Sequence, residues 1–76
     1  MTMDPGQARR LWRLRKLHQF VDAELTESPE GKLVELRFLL NGELSYAREG
    51  LSLEAALVEA QSKRADLERE GWMFHW

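Results

Sequence analysis

Residues 34–72, VELRFLLNGELSYAREGLSLEAALVEAQSKRADLEREGW, decide the fold because they contain a hairpin signal followed by a complete helix signal. Two segments rich in apolar residues flank Asn41-Gly42, a pair that readily adopts the positive φ angles of a type I′ turn. The sequence therefore predicts an antiparallel hairpin with strands at about 32–40 and 43–49.

A helix is predicted over residues 52–70, and both of its ends are marked. Ser52 is a suitable N-cap, and Gly71 can adopt the left-handed conformation that commonly ends a helix. Trp72 is then expected to pack back over Leu67. The apolar residues at helical spacing form a stripe that predicts packing against the sheet: Leu53, Ala56, Leu57, Ala60 and Leu67.

The Asn41-Gly42 turn also predicts which side chains share a face of the hairpin. If the register continues without interruption from the turn, Arg37 lies opposite Tyr46, and Arg48 lies on the same face. We therefore predict that Arg37, Tyr46 and Arg48 project from the face of the sheet that the helix does not cover. A slip of one residue would exchange the two faces.

The first part of the chain predicts one further strand, and its beginning has two interpretations. Residues 17–27 alternate apolar and polar, as in a strand, and the turn residues of 28–31 follow them. For residues 5–16, Asp4-Pro5 favours a short helix, whereas alternation from Trp12 onward favours the start of one long strand. The predicted fold is α+β: a three-stranded antiparallel meander, a C-terminal helix packed on one face, and a short N-terminal helix.

Length and composition indicate one small folded domain over residues 1–76. The chain has 43% hydrophobic and 32% charged residues, which is ordinary for a globular protein, and it contains no cysteine. Disulfides, thiolate zinc sites and cysteine nucleophiles are therefore excluded. The sequence has no apolar stretch that resembles a signal peptide or a membrane span, so we expect a cytoplasmic protein without a membrane partner.

The net charge of −2 is unevenly distributed along the chain. Residues 1–20 carry five basic residues against Asp4, a net charge of +4, whereas residues 21–76 carry six basic and twelve acidic residues, a net charge of −6. The basic segment can bind phosphates or an acidic partner, or it can pair with the acidic remainder of its own domain. The candidate nucleic-acid contacts are Arg9, Arg10, Arg13, Arg15 and Lys16, with Arg37, Tyr46 and Arg48 on the open sheet face.

The C-terminal segment 72–76, Trp-Met-Phe-His-Trp, is too apolar for a free tail. We expect it to pack on the sheet or the helix, with an additional short strand as one form of that packing. The alternative is an exposed aromatic patch that binds another chain. The candidate protein interface consists of Trp12, Trp72, Phe74 and Trp76.

No motif for catalysis or cofactor binding stands out. His18, Asp22 and Glu24 share a face of the predicted first strand, but strand geometry spreads them over about 20 Å, too far for one metal ion. No serine lies in a nucleophile elbow, no glycine-rich loop cradles a phosphate, and no carboxylate pair has visibly unequal environments. We therefore expect no catalytic residue, metal, cofactor or small-molecule substrate.

Three stretches of the chain resemble a family of small bacterial proteins with no established activity. These stretches are WRLRK at residues 12–16, LNGEL with the following Tyr46 and Arg48, and a helix with EA, KR and GW elements that is followed by His75-Trp76. The resemblance covers nearly the whole chain. It implies a bacterial, cytoplasmic protein, and it offers no catalytic residues that could be carried over.

Two functional hypotheses follow from the sequence. The first is a non-enzymatic protein-interaction or accessory module that binds a protein partner or self-associates through a sheet edge or the aromatic C-terminus. The second is nucleic-acid binding through the basic segment and the open sheet face, which predicts affinity that falls steeply with salt. The acidic balance of residues 21–76 favours the first hypothesis.

Overall fold

The fold is α+β, as predicted, with one antiparallel sheet and one C-terminal helix. The computed structural model describes residues 8–28 and 31–74. The elements in chain order are β1 (Arg9–Lys16), β2 (Gln19–Glu27), β3 (Val34–Leu40), β4 (Glu43–Leu51), α1 (Leu53–Arg69) and β5 (Met73–Phe74). The strands form a single sheet in the order β4-β3-β2-β1-β5. The sheet therefore has more strands than the predicted three-stranded meander.

The predicted N-terminal helix is wrong, because β1 occupies most of its range. β1 pairs antiparallel with β2, with Arg9 opposite Leu25 at one end and Lys16 opposite Gln19 at the other. A tight turn at Leu17-His18 therefore joins the two strands. The alternative of one long strand from Trp12 is also wrong at this turn. Pairing with β2 buries alternate residues of β1. The free energy gained from this burial outweighs the local preference for a helix. The predicted helix start at residues 5–7 lies outside the described residues.

The β3–β4 hairpin confirms the predicted turn but not the predicted register. Asn41 and Gly42 have φ angles of 52° and 84°, and Leu39 lies opposite Leu44 as expected. The register then shifts by one residue, because Ser45 forms a β-bulge before Tyr46 pairs with Phe38. Tyr46 and Arg48 therefore lie on the helix side of the sheet. The prediction that they share the uncovered face with Arg37 is wrong.

The predicted C-terminal helix is confirmed, including both of its end signals. The Ser52 side chain accepts a hydrogen bond from the Ala55 amide at 3.1 Å. At the other end Gly71 has a φ angle of 100°, and the Trp72 amide donates to the Leu67 carbonyl at 3.0 Å. This amide bond and the one from Gly71 to Glu68 are those of a Schellman motif.

The helix stripe is narrower than predicted. Ala56, Ala60 and Leu67 are buried, whereas Leu53 and Leu57 are 53% and 44% exposed. Each residue turns the helix by about 100°, so Leu57 points well away from the direction of Ala56. The two alanines let the helix backbone approach the sheet closely. The buried core on the sheet consists of Trp12, Leu14, Val21, Ala23, Leu25, Val34, Leu36 and Phe38.

The path of α1 determines which part of the sheet stays uncovered. The helix follows β4 at one edge of the sheet and leads to β5 at the other edge, so it crosses the sheet and packs on β1, β3 and β4. Five strands span roughly 19 Å, whereas a helix is about 10 Å wide. One helix therefore cannot cover the whole face, and a corner beside β4 remains open.

Candidate functional site

The basic segment of the sequence forms β1, and its central arginine is paired within the domain. Arg13 donates to both carboxylate oxygens of Asp22 in β2, at 2.6 and 3.1 Å. Asp22 is only 5% exposed although it lies on the face opposite the helix. The hydrogen bond to Asp22 raises the pKa of Arg13 above its ordinary value.

Other cations of β1 also have partners inside the domain. Arg10 lies 3.9 Å from Asp22, and the Arg15 side chain donates to the Leu17 carbonyl at 3.0 Å. Lys16 donates to the Glu70 carbonyl at 2.8 Å. Its positive charge there interacts favourably with the C-terminal end of the α1 dipole. Arg9 is exposed and is the outermost residue of the strand. The arrangement agrees with the alternative that the basic segment pairs with its own domain.

The open face of the sheet alternates positive and negative side chains. Glu24 in β2 lies between Arg10 of β1 and Arg37 of β3 in the cross-strand register, and Arg37 also contacts Glu35 at 3.6 Å. The structure therefore brings Arg37 together with the arginines of β1. The carboxylates between them reduce the positive potential that a phosphate backbone requires.

The structure describes three of the four aromatic residues predicted as a protein interface, and these three differ in exposure. Trp12 is 3% exposed and belongs to the core, whereas Trp72 is partly buried against that core. Phe74 is 48% exposed, lies in β5, and has the Arg64 guanidinium 4.7 Å from its ring centre. The short strand confirms for Met73-Phe74 one form of the expected C-terminal packing. Trp76 lies outside the described residues.

The uncovered corner of the helix face is an open groove between α1 and β4. Phe38 and Tyr46 contribute its aromatic floor, and Ala55, Val58 and Ser62 line it from the helix. The groove has a volume of about 910 Å³ and is open to solvent rather than enclosed. Val58 is 67% exposed and Tyr46 is 46% exposed, so apolar surface is available to a partner.

Tyr46 ends a row of aromatic side chains that crosses the sheet. Trp12 lies opposite Ala23, Ala23 opposite Phe38, and Phe38 opposite Tyr46. The small Ala23 side chain lets the Trp12 and Phe38 rings approach to 6.0 Å, and the Phe38 and Tyr46 rings lie 5.8 Å apart. The row is buried at its centre and exposed at Tyr46, where the sheet ends.

Glu59 of α1 fixes the polar side chains at the groove wall. It accepts from Arg48 at 2.5 Å and from the Tyr46 hydroxyl at 3.5 Å, so one carboxylate connects the helix to the edge strand. The sequence pattern did not indicate Glu59, because the uninterrupted register placed Tyr46 and Arg48 on the other face. The local sequence of Ser45 gives no sign of the bulge. Only the match of Tyr46 and Arg48 to a helix carboxylate would have indicated it.

β4 is the edge strand beside the groove. Its residues are exposed except Leu51, which is partly buried. Within the described ranges 8–28 and 31–74, no strand pairs with its outer side. A register shift occurs at each end of its central part, one at Ser45 and one near Gly50, which has a φ angle of 75°. Between these shifts the pairing with β3 is regular from Tyr46 to Arg48, and this stretch of the edge can accept another strand.

The described part of the chain contains neither a metal-binding cluster nor a membrane-spanning helix. No cluster of three or more histidine, cysteine, aspartate or glutamate residues in the described part of the chain has a metal-binding arrangement. No helix among residues 8–28 and 31–74 has the length and hydrophobicity needed to cross a membrane.

The chain matches no protein-family model, no curated protein and no solved structure. The resemblance to a family of small bacterial proteins therefore stays a prediction. The geometry of the groove and of β4 is the basis for inferring a function.

Proposed function

We propose that this protein is a non-enzymatic, cytoplasmic protein-interaction module that binds an extended segment of a partner along β4. The observation that carries the proposal is the exposed edge strand beside an apolar groove. A segment added to β4 would form main-chain hydrogen bonds at the edge, and alternate side chains would enter the groove.

The polar groups of the groove support binding rather than catalysis. The Glu59 carboxylate already accepts from Arg48 and Tyr46, so it is tied into a structural network. Asp66, which also lines the groove, is paired with Arg69. Paired carboxylates of this kind lack the unequal environments that acid–base catalysis requires.

Nucleic-acid binding receives less support from the structure. It requires accessible cations on one surface, but Arg13 and Lys16 have partners inside the domain. The predicted contribution of Tyr46 and Arg48 to the same surface as Arg37 is lost, because the Ser45 bulge places them on the helix side.

The alternation of hydrogen bonds along the hairpin indicates how the proposal can be tested. Leu40 and Glu43 flank the two-residue turn and form a hydrogen-bonded pair, so every second pair along β3 is hydrogen-bonded. The Arg37–Ala47 pair is then a non-hydrogen-bonded one, and the Ala47 backbone groups point outward. Ala47→Pro removes an outward N–H without removing a bond to β3.

The experiment is selection of random 12-residue peptides against the immobilised protein at low concentration, with nuclear magnetic resonance mapping of the selected peptides. We expect peptides that shift the amide signals of Leu44, Ala47 and Glu49, bind Ala47→Val, and do not bind Ala47→Pro. Valine keeps the N–H and suits a strand, so it is the matched control. Peptides that bind Ala47→Pro as well as the wild type, or that map to the open face, would overturn the proposal.

A further inference from the structure

We infer that the segment bound along β4 is the β4 strand of a second copy of this chain, paired antiparallel about a two-fold axis at Ala47. This inference rests on the proposed function and names its partner. Two copies would then form one continuous sheet across the axis. The inference is supported by a comparison of the possible registers. In one register the charges and the central backbone groups of the two edges are compatible, and in the others they are not.

The available backbone groups limit the pairing to a short stretch. The register shifts at Ser45 and near Gly50 interrupt the edge, so only Tyr46–Arg48 pairs regularly with β3, and Glu49 follows at the second shift. Within the regular stretch the alternation makes Ala47 the residue with outward N–H and C=O groups. A two-fold axis between identical antiparallel strands passes through a residue paired with its own copy, which leaves four positions to compare.

Charge excludes two of these positions. An axis at Arg48 places two guanidinium groups directly opposite each other, and an axis at Glu49 does the same with two carboxylates. Like charges directly opposite each other destabilise a strand pair. An axis at Tyr46 would set the bulged Ser45 against Ala47 of the second copy, so the outward groups would not align.

The axis at Ala47 avoids like charges and aligns the outward backbone groups of the central pair, and the bulged Ser45 lies at the end of the paired stretch. The two Ala47 residues form a hydrogen-bonded pair, and their small side chains fit closely on the open face. Tyr46 then faces Arg48 of the second copy on the helix side, which allows contact between a ring and a guanidinium. Glu49 faces Ser45 of the second copy, so no like charges meet.

The pairing would also complete the aromatic row. Tyr46 is the exposed end of the row through Trp12 and Phe38 and is 46% exposed. In the paired sheet the Arg48 stem of the second copy covers this edge. Arg48 is already held by Glu59 of its own helix, so it is partly ordered before association.

The expected dimer is weak, because a pairing of about five residues buries less than the roughly 800 Å² per partner of a standard interface. The measurement is therefore sedimentation velocity of the full chain from about 10 μM to about 1 mM, a range that covers weak association. We expect the mass of the wild type to rise toward that of a dimer and Ala47→Pro to remain a monomer.

A charge-exchange experiment tests the position of the axis without relying on proline. Ala47→Glu and Ala47→Lys each place like charges on the axis and are expected to weaken association by about threefold to tenfold. Mixing the two variants in equal amounts should restore association, since the heterodimer pairs opposite charges. Leu44→Glu with Leu44→Lys is the matched control, because Leu44 faces Gly50 in this register and mixing should have no effect. Circular dichroism of each variant confirms the fold.

Three results would overturn the inference: a monomeric wild type at about 1 mM, undiminished association of both Ala47 variants, or recovery on mixing the Leu44 pair. If the wild type is monomeric but the selected peptides still bind β4, only the second-copy inference fails. If the peptides also avoid β4, the proposed function fails as well.

Discussion

The β1–β2 hairpin turns on Leu17-His18 and is held by the Arg13–Asp22 pair, whereas the β3–β4 hairpin turns on Asn41-Gly42 and ends in an exposed, bulged edge. The first hairpin has an unfavourable turn, since Leu17 has a φ angle of 57°. The second has a turn whose residues favour positive φ.

The difference shows two ways to fix the register of a hairpin. In β1–β2 the register comes from tertiary contacts: the Arg13–Asp22 pair on one face and the buried Leu14–Val21 pair on the other. In β3–β4 it comes from the turn itself, and Glu59 of the helix then holds the edge strand. The first arrangement uses its charges internally, whereas the second leaves a strand edge available for binding.

The largest expected effect comes from breaking the pair that holds β1–β2. Asp22→Ala leaves the Arg13 guanidinium without its carboxylate in a partly buried position, so we expect a loss of about 2–3 kcal/mol in the free energy of unfolding. Chemical denaturation measures it. The control is Asp66→Ala, which removes the exposed partner of Arg69 and should change stability by less than about 0.5 kcal/mol. Equal losses in the two variants would show that the Asp22 pair has no special role.

The turn of β3–β4 gives the next largest effect. Gly42 has a φ angle of 84°, and no atom lies within 4 Å of the position of an added Cβ. Gly42→Ala is therefore expected to lower the free energy of unfolding by about 1 kcal/mol through backbone strain alone. Gly42→Asn should lose less, because asparagine tolerates this conformation better. A loss for asparagine as large as that for alanine would contradict the strain argument.

The turn of β1–β2 predicts a smaller change of opposite sign. Leu17 is 80% exposed, so its side chain contributes little packing. Leu17→Gly should raise the free energy of unfolding by roughly 0.5 kcal/mol, because relief of the positive φ exceeds the greater flexibility of glycine in the unfolded chain. Leu17→Ala keeps the Cβ and should leave stability nearly unchanged. A stabilisation by alanine equal to that by glycine would assign the effect to the side chain instead.

The same comparison explains how far the sequence predicts the fold. Asn41-Gly42, Ser52 and Gly71 act through local backbone preferences, so the second hairpin and the helix could be read from short stretches. The turn at Leu17-His18 contains no glycine, proline or asparagine, and the β1 strand forms only when it pairs with β2. Long-range pairing of this kind leaves no local signal beyond the alternation from Trp12.

The candidate site was harder to predict than the fold. A single β-bulge at Ser45 moves Tyr46 and Arg48 to the other face. A serine at this position does not by itself predict a bulge. The groove arises because one helix crosses a wide sheet, which depends on the strand order rather than on any motif. The exposed edge of β4 likewise follows from topology.

The smallest expected effect tests whether the β1–β2 hairpin has basic side chains that are available to bind phosphates. Titration of a labelled DNA and RNA pool at low and moderate salt should give no salt-sensitive binding, because Arg13 and Lys16 have partners inside the domain and carboxylates lie between Arg10 and Arg37. The test can be sharpened with Glu24→Gln, which removes a carboxylate that lies between two arginines in the register. One contrary result is that the wild type binds at low salt and that Arg9→Ala together with Arg15→Ala abolishes the binding. This result would support the nucleic-acid hypothesis and would show that the β1–β2 hairpin does not use its charges only internally. If binding appears only in Glu24→Gln, the internal carboxylates are the reason that the wild-type surface does not attract phosphates.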